Sequence, residues 1–217
     1  MNVKVIWSTP DADALMGMIA RVSNPANQNN PEVKGLLRYC ARNAHWSVFE
    51  HAHACLEINT TRDIGRQIIR HRSFAFSEFS QRYQDAAELG EFAVRECRMQ
   101  DTKNRQNSLP CEDDGIDLIW HQLQARIAYE AKIAYREALA RGIAKEQARA
   151  LLPEGLTPSR LYMTGSIRSW VTYCQVRMDP STQKEHRQIA QEVLQVLRGV
   201  APITMDAFFP VTESEPV

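Results

Sequence analysis

The segment His51-Ala52-His53-Ala54-Cys55-Leu56-Glu57-Ile58-Asn59 alternates apolar and polar residues more clearly than any other stretch of the chain. A period of two commits it to a β-strand. Thr61 then caps a short helix carrying Ile64, Ile68 and Ile69, which delivers the chain into Arg70-His71-Arg72. Three consecutive cationic or potentially cationic side chains cannot share one face of a regular element, so they fan out. Ser80, Arg82 and Tyr83 follow, with the carboxylate of Glu78 among them. Arginine offers a planar fork of donors to phosphate and stacks on π-systems. Arginines, a hydroxyl and an aromatic at this density suit an anion that also carries a flat ring, and a nucleotide fits that description. The basic segment is expected to be a helix exit plus loop, where binding residues commonly sit on a rigid scaffold.

Residues 1–8 read as a strand, Asp11 to about Arg21 as a helix with Leu15, Met18 and Ile19 on one side, and Ser23 to Asn30 as a loop. Asn30 and Pro31 suit the N-cap and first turn of a helix reaching about Asn43. Val94–Met99 reads as a strand and Gln100–Asp114 as a surface loop without period. The longest helix runs from about Ile116 to Arg141 and ends at Gly142 in a left-handed cap. Its positions Ile119, Leu123, Ile127, Ala131, Ala134 and Ala138 read as a core stripe, and in part as a subunit seam. A short helix over Lys145–Leu152 stops at Pro153, Leu161–Gly165 is extended, and Ser166 caps a helix to about Val176. Thr182 and Glu185 are spaced as a capping box for a last long helix closed by Gly199. These elements predict one α+β domain over 1–217, with a central antiparallel or mixed sheet flanked by long helices and a flexible tail over about 211–217.

At 217 residues the chain can bury one substantial core. Lys plus Arg and Asp plus Glu number 26 each, so no net field recruits long polyanions and no nucleic-acid partner is expected. Cys40, Cys55, Cys97, Cys111 and Cys174 form no Cys-x-x-Cys pair, which argues against a zinc ribbon or a thioredoxin-like motif. Reduced thiols fit a cytoplasmic protein. Neither a signal peptide nor a run of membrane-spanning length is present, so no membrane partner is expected. No Gly-x-Gly-x-x-Gly and no P-loop exists either. Phosphates must be met by side chains, and the supply is Arg70, His71, Arg72, Arg82, Arg149, Arg168 and Arg177.

Arg70-His71-Arg72, seven residues, Ser80 and then Gln81-Arg82-Tyr83 resemble the motif of flavin-dependent thymidylate synthases. Three further segments carry the likeness. His45-Trp46-Ser47-Val48-Phe49-Glu50-His51 resembles the family's histidine segment, Glu146-Gln147-Ala148-Arg149 its second arginine segment, and Ser166-Ile167-Arg168 with Arg177 its third. The likeness spans about residues 15 to 209. It implies methylation of dUMP to dTMP, with 5,10-methylenetetrahydrofolate as carbon donor and NADPH reducing bound FAD. It also implies a homotetramer with active sites between subunits. By motif position, Ser23, Ser47, Arg70, His71, Arg72, Glu78, Ser166, Ile167, Arg168 and Thr172 would contact flavin. Gln67, Ile68, Ile69, Arg70, Glu78, Phe79, Ser80, Gln81, Arg82, Arg149 and Arg177 would contact the nucleotide. His45 and Arg177 hold the catalytic positions, Arg177 activating the uracil ring.

The family often has Asn where this chain has Ser77, Ser166 and Thr172, and hydroxyls present fewer donors. Nine helical residues turn about 900°, so Arg168 and Arg177 point opposite ways if one helix carries both. Other readings stay open. His51 and His53 share a strand face near His45, but no Cys or carboxylate stands at zinc spacing, so no metal is expected. A related flavin-dependent pyrimidine-nucleotide one-carbon transferase, or a non-catalytic nucleotide- or RNA-binding protein, are the alternatives.

Overall fold

The computed structural model describes residues 2–210, and the expected tail over about 211–217 lies outside them. The chain runs through β1 (Asn2–Ser8), α1 (Ala12–Ala20), α2 (Lys34–Arg42), a 3-10 turn over Trp46–Glu50, β2 (His53–Thr61), α3 (Arg62–Ile68) and β3 (Ala75–Glu78). It continues with β4 (Arg98–Gln100), β5 (Ser108–Pro110), α4 (Asp114–Ala140), α5 (Lys145–Ala148), β6 (Pro158–Ser166), α6 (Ile167–Arg177), α7 (Lys184–Val200) and α8 (Pro202–Phe208).

The main sheet has the order β1-β2-β6-β3, with every neighbouring pair antiparallel. Of the expected antiparallel or mixed sheet, the structure has the antiparallel form. Strand β6 lies between β2 and β3, with His53 opposite Ser166, Leu56 opposite Met163 and Ile58 opposite Leu161. Those last four side chains are fully buried together with Trp170 and Tyr173 of α6 and Ile189, Val193 and Leu197 of α7. Each such apolar side chain contributes about 1.5–3 kcal/mol through burial. The core therefore sits between the sheet and the α6–α7 pair, and it holds α6 rigidly beside the basic segment.

Several expectations need correction. The buried face of α1 is Ala12, Met16 and Gly17 rather than Leu15, Met18 and Ile19. Val33 packs onto Gly17 so closely that a Cβ there would lie 2.2 Å from its Cγ1. Helix α2 starts at Lys34, because the Asn30 side chain accepts from the Glu32 N–H at 2.9 Å and keeps that stretch a turn. Asp101 accepts from the N–H groups of Lys103 and Asn104 and from the Asn107 amide, which nucleates a β4–β5 hairpin where sequence suggested a loop. The Thr182–Glu185 capping box does not form: Thr182 donates to the Val176 carbonyl, and Glu185 is drawn to Arg98. Gly199 does not end α7, which runs to Val200 before Pro202 starts α8.

Ser166 does cap α6, accepting from the Ser169 N–H at 3.2 Å, and Gly142 takes a left-handed φ of 80° after α4. The expected core stripe of α4 is another matter. Ile119, Leu123 and Ile127 are 56%, 41% and 49% exposed, whereas the buried positions are Gln124, Tyr135 and Ala138. The apolar ridge faces away from the protein's own core. No described helix is long and apolar enough to cross a membrane.

Candidate active site

Helix α6 organises the site, because each end meets a different part of the motif chain. At its N-terminal end, Ser166 donates to Glu50 Oε2 at 2.6 Å and Arg168 Nη1 donates to Glu50 Oε1 at 2.8 Å. The Ser166 hydrogen bond, against the opposing effect of burial, and then Arg168 hold the Glu50 carboxyl below its ordinary range. The Arg168 guanidinium lies 5.8 Å from the Trp46 ring centre. Ser169 donates to the Ser73 carbonyl, tying this end to the loop just past Arg72. Thus the segment containing Ser47 and the segment containing Ser166 and Arg168 are joined through Glu50. Ile167 has its side chain in the core and its N–H on the Ala52 carbonyl at 2.8 Å. Thr172 donates to the Arg168 carbonyl on the exposed side of α6.

At the C-terminal end, Arg177 closes α6, so both arginines belong to one helix. They are separated by about 13.5 Å of rise and half a turn in azimuth. Arg177 Nε donates to His71 Nε2 at 2.8 Å. Burial first, then the neighbouring Arg177 charge, pushes His71 down to about 4. Its ring stands edge-on to Tyr173, with centres 5.0 Å apart.

Behind this pair runs a hydrogen-bonded chain of one direction. Tyr173 OH lies 3.1 Å from His186 Nε2, and His186 Nδ1 lies 3.3 Å from Gln67 Oε1. Gln67 Nε2 donates to Gln183 Oε1 at 2.7 Å, and Gln183 Nε2 donates to Glu185 Oε2 at 2.9 Å. Only His186 with its proton on Nδ1 satisfies both neighbours, since Gln67 presents an acceptor there. Burial, followed by the charges of Arg177 and the presence of His71, pushes His186 down to about 3, so it stays neutral. The relay thus starts at a buried phenol and ends on a carboxylate, and it fixes the Gln67 amide.

The basic segment is not wholly a loop, since residues 75–78 form edge strand β3 against β6. Phe74 packs so closely on Gly165 that a Cβ there would come within 2.4 Å of its ring. Among the described residues, Arg70 and Arg72 are exposed and carry no side-chain hydrogen bond or ion pair. Glu78 accepts from Ser159 at 2.8 Å and lies 3.7 Å from Arg62, so part of its carboxylate is engaged within the protein. Arg82 lies 3.5 Å from Glu146 and beside the Tyr83 ring, while Arg149 donates to the Glu146 carbonyl. The second arginine segment therefore meets the first. Ile68 is buried in the core, Ile69, Phe79 and Ser80 are half-buried, and the buried Gln81 Nε2 has no partner among the described residues. His45 and Ser47 are exposed, His45 following Ala44 at a φ of 55° and standing edge-on to Tyr39. Ser23 is exposed just beyond α1.

Sequence reasoning missed Tyr173, His186, Gln183 and the link that Glu50 makes to Ser166 and Arg168. The available signal was polar side chains on otherwise apolar helix faces: His186 sits three residues before Ile189 on the buried stripe of α7.

The donor set suits a phosphate-rich, planar ligand met by side chains: arginines directed outward, a buried unpaired amide and a guanidinium held by one nitrogen. Comparison with known proteins agrees. A family model described as "Thymidylate synthase complementing protein" matches residues 4–203. The flavin-dependent thymidylate synthase of Synechocystis sp. is 52% identical over 178 residues, covering 82% of this chain and 80% of that protein. The flavin-dependent thymidylate synthase of Mycobacterium tuberculosis is 32% identical over 218 residues, covering 96% and 84%. The crystal structure of the UMP/dUMP methylase PolB from Streptomyces cacaoi bound with 5-Br dUMP matches with a TM-score of 0.82 at 26% identity, over 99% of this chain and 97% of that one. This fold and site define an α+β nucleotide-modifying enzyme. The chain belongs to the flavin-dependent thymidylate synthase family.

Proposed function

We propose that this protein converts dUMP to dTMP, taking the one-carbon unit from 5,10-methylenetetrahydrofolate and reducing equivalents from NADPH through FAD. The observation that carries the reading is Arg177. Its Nε is occupied by His71, and its two terminal nitrogens have no partner among the described residues. The uracil ring must become electron-rich at C5 before it attacks a one-carbon electrophile. Two guanidinium N–H groups beside N3 and O2 stabilise the enolate-like anion that this requires. His71 is neutral there and adds no competing charge. Arg82 and Arg149 bind the nucleotide phosphate, Gln67 and Gln81 supply amide donors, and Ser80 contributes a hydroxyl. Arg70, Arg72 and Arg168 hold FAD, which when bound supplies the hydride that completes the methyl group. His45, exposed on the segment after Ala44, takes the second catalytic position.

The arrangement operates in one catalytic domain, and in a homotetramer whose subunits share sites. The exposed ridge of α4, with Ile119, Trp120, Leu123 and Ile127, supports that assembly. The unpaired cysteines, four of them buried, accord with a reducing cytoplasm. The test is direct: purified protein should be yellow and, with methylenetetrahydrofolate and NADPH, should form dTMP from dUMP. A colourless protein that binds dUMP without turnover would overturn the reading. PolB is a UMP/dUMP methylase, which favours one second reading, methylation of both nucleotides. UMP in the same assay separates the two.

A further inference from the structure

We propose that His71 is the positioning residue for Arg177: its ring nitrogen takes the Arg177 Nε–H and thereby sets the plane in which the two terminal guanidinium nitrogens meet the substrate. This rests on the function proposed above. It gives His71 a task distinct from the flavin contact that motif position implies.

A guanidinium is planar, and its Nε–H lies in that plane, so anchoring Nε fixes where both Nη atoms point. The His71–Arg177 bond, at 2.8 Å, is the one side-chain hydrogen bond Arg177 makes among the described residues. An acceptor at this place is unusual in being uncharged. A carboxylate there would neutralise the cation and draw the Nη atoms into a fork, whereas a neutral imidazole accepts one proton and leaves the charge undiminished. The imidazole is itself fixed. Tyr173, fully buried, packs edge-to-face with it at a ring-centre separation of 5.0 Å, Phe74 stands 6.5 Å away in the same way, and the backbone N–H of His71 is bonded to the Ile68 carbonyl at 3.1 Å, which fixes the main chain that carries the ring. Tyr173 is held from behind by His186 at 3.1 Å. The titratable groups facing His71 are thus Arg177 and Tyr173 from α6 and, behind the phenol, His186 from α7. Misplacement of a catalytic group by 1 Å is enough to lower a rate by about 10²-fold, so a support of this kind matters.

Two substitutions test it in the flavin-loaded protein. His71→Gln keeps an acceptor oxygen near the Nε2 position, and His71→Leu keeps volume without one. His71→Leu is expected to lower kcat for dTMP formation by about 10²-fold, with the dUMP KM changed less than about threefold and flavin content intact. His71→Gln should recover at least about tenfold of that loss. Three outcomes overturn the proposal: His71→Leu working at the parent rate, His71→Gln as slow as His71→Leu, or both variants losing flavin in proportion to activity. A second readout needs no turnover. In ¹⁵N-histidine spectra, His71 should stay neutral to about pH 4 and titrate at higher pH in Arg177→Gln. If His71 in the parent titrates near the ordinary histidine value of about 6.5, the pair does not exist and the proposal fails even in an active enzyme. If the spectra behave as expected but no dTMP forms, the fault lies with the assigned reaction and the pair stands.

Discussion

Arg95 and Arg72 carry the same guanidinium and use it in opposite ways. Arg95 is 12% exposed and donates to both carboxylate oxygens of Asp63 at 2.7 and 2.9 Å, to Thr61 at 2.6 Å and to the Gly155 carbonyl, with Glu185 at 3.4 Å. Arg98 adds a bond to Glu185 at 2.6 Å. That cluster ties the start of α3, the turn before β6 and the start of α7 into one block. Arg72 stands in the open with no such partner. Sequence density of basic residues does not distinguish the two; the carboxylates supplied by distant segments do. The regions are nevertheless connected, because Glu185 both receives the arginines and terminates the relay that fixes Gln67.

The comparison can be broken at either end. Arg95→Ala leaves the partly buried Asp63 without its cation and Glu185 with Arg98 alone, and breaking such a pair costs about 3–5 kcal/mol. For a chain of this size the melting temperature should fall on the order of 10 °C. A drop of less than about 2 °C by differential scanning calorimetry would make Arg95 an ordinary surface charge. Arg177→Lys should lower single-turnover dTMP formation by about 10²–10³-fold, the scale of one lost transition-state donor, while flavin content stays unchanged. A Lys variant at the parent rate would remove Arg177 from the chemistry, and weakened dUMP binding with normal chemistry would make it an anchor.

Arg72→Ala should do the reverse of Arg95→Ala. FAD affinity should weaken by about tenfold or more, the worth of a charge-assisted contact, while flavin-free stability moves by no more than about 0.5 kcal/mol. Equilibrium dialysis and calorimetry read the two sides separately. Unchanged FAD affinity would place Arg72 outside the flavin site.

The most gradual effect, spread over the pH scale, concerns the block between them. His71 and His186 have folded values pushed down to about 4 and about 3 by burial and by Arg177. A lowered value means that the unfolded chain takes up protons first, so stability is complete above about pH 6.5 and is lost as pH falls toward those folded values. Each neutral histidine contributes about 1.4 kcal/mol per pH unit to that decline. His186→Gln should remove one such share from the slope of denaturant stability between pH 6 and 4. An unchanged slope would mean that His186 is not held neutral.

How much of this was legible depended on whether a residue's partner lay nearby in sequence. Strand β2, the Ser166 cap and the Gly142 stop could be read because each is a local pattern. Strand β3 could not: four half-exposed residues at an edge have no period to detect. The motif arginines stand out in the sequence by type and by likeness to the family's motif. Tyr173, His186 and Gln183 do not, since their partners lie far along the chain and are set by packing: His71 meets Arg177 across 106 residues, and Gln67 meets His186 across 119. The stripe on α4 shows the same limit. Apolar spacing states that a face is to be covered and leaves open what covers it.

Strand β6, seated between β2 and β3, carries a consequence for how the protein is made. The two strands that flank it are complete before residue 79, yet the one that joins them begins at Pro158. Until that segment leaves the ribosome, β2 lacks its partner on that side and β3 lacks its sheet. Arg70 and Arg72 then sit on a hinge with no frame behind it. Non-local pairing of this kind closes a long loop before any contact rewards it, which slows folding. From Tyr83 until Pro158–Ser166 is made, the nascent chain therefore carries a complete motif with no sheet behind it, and the frame for those arginines arrives in one late step as β6 slides home.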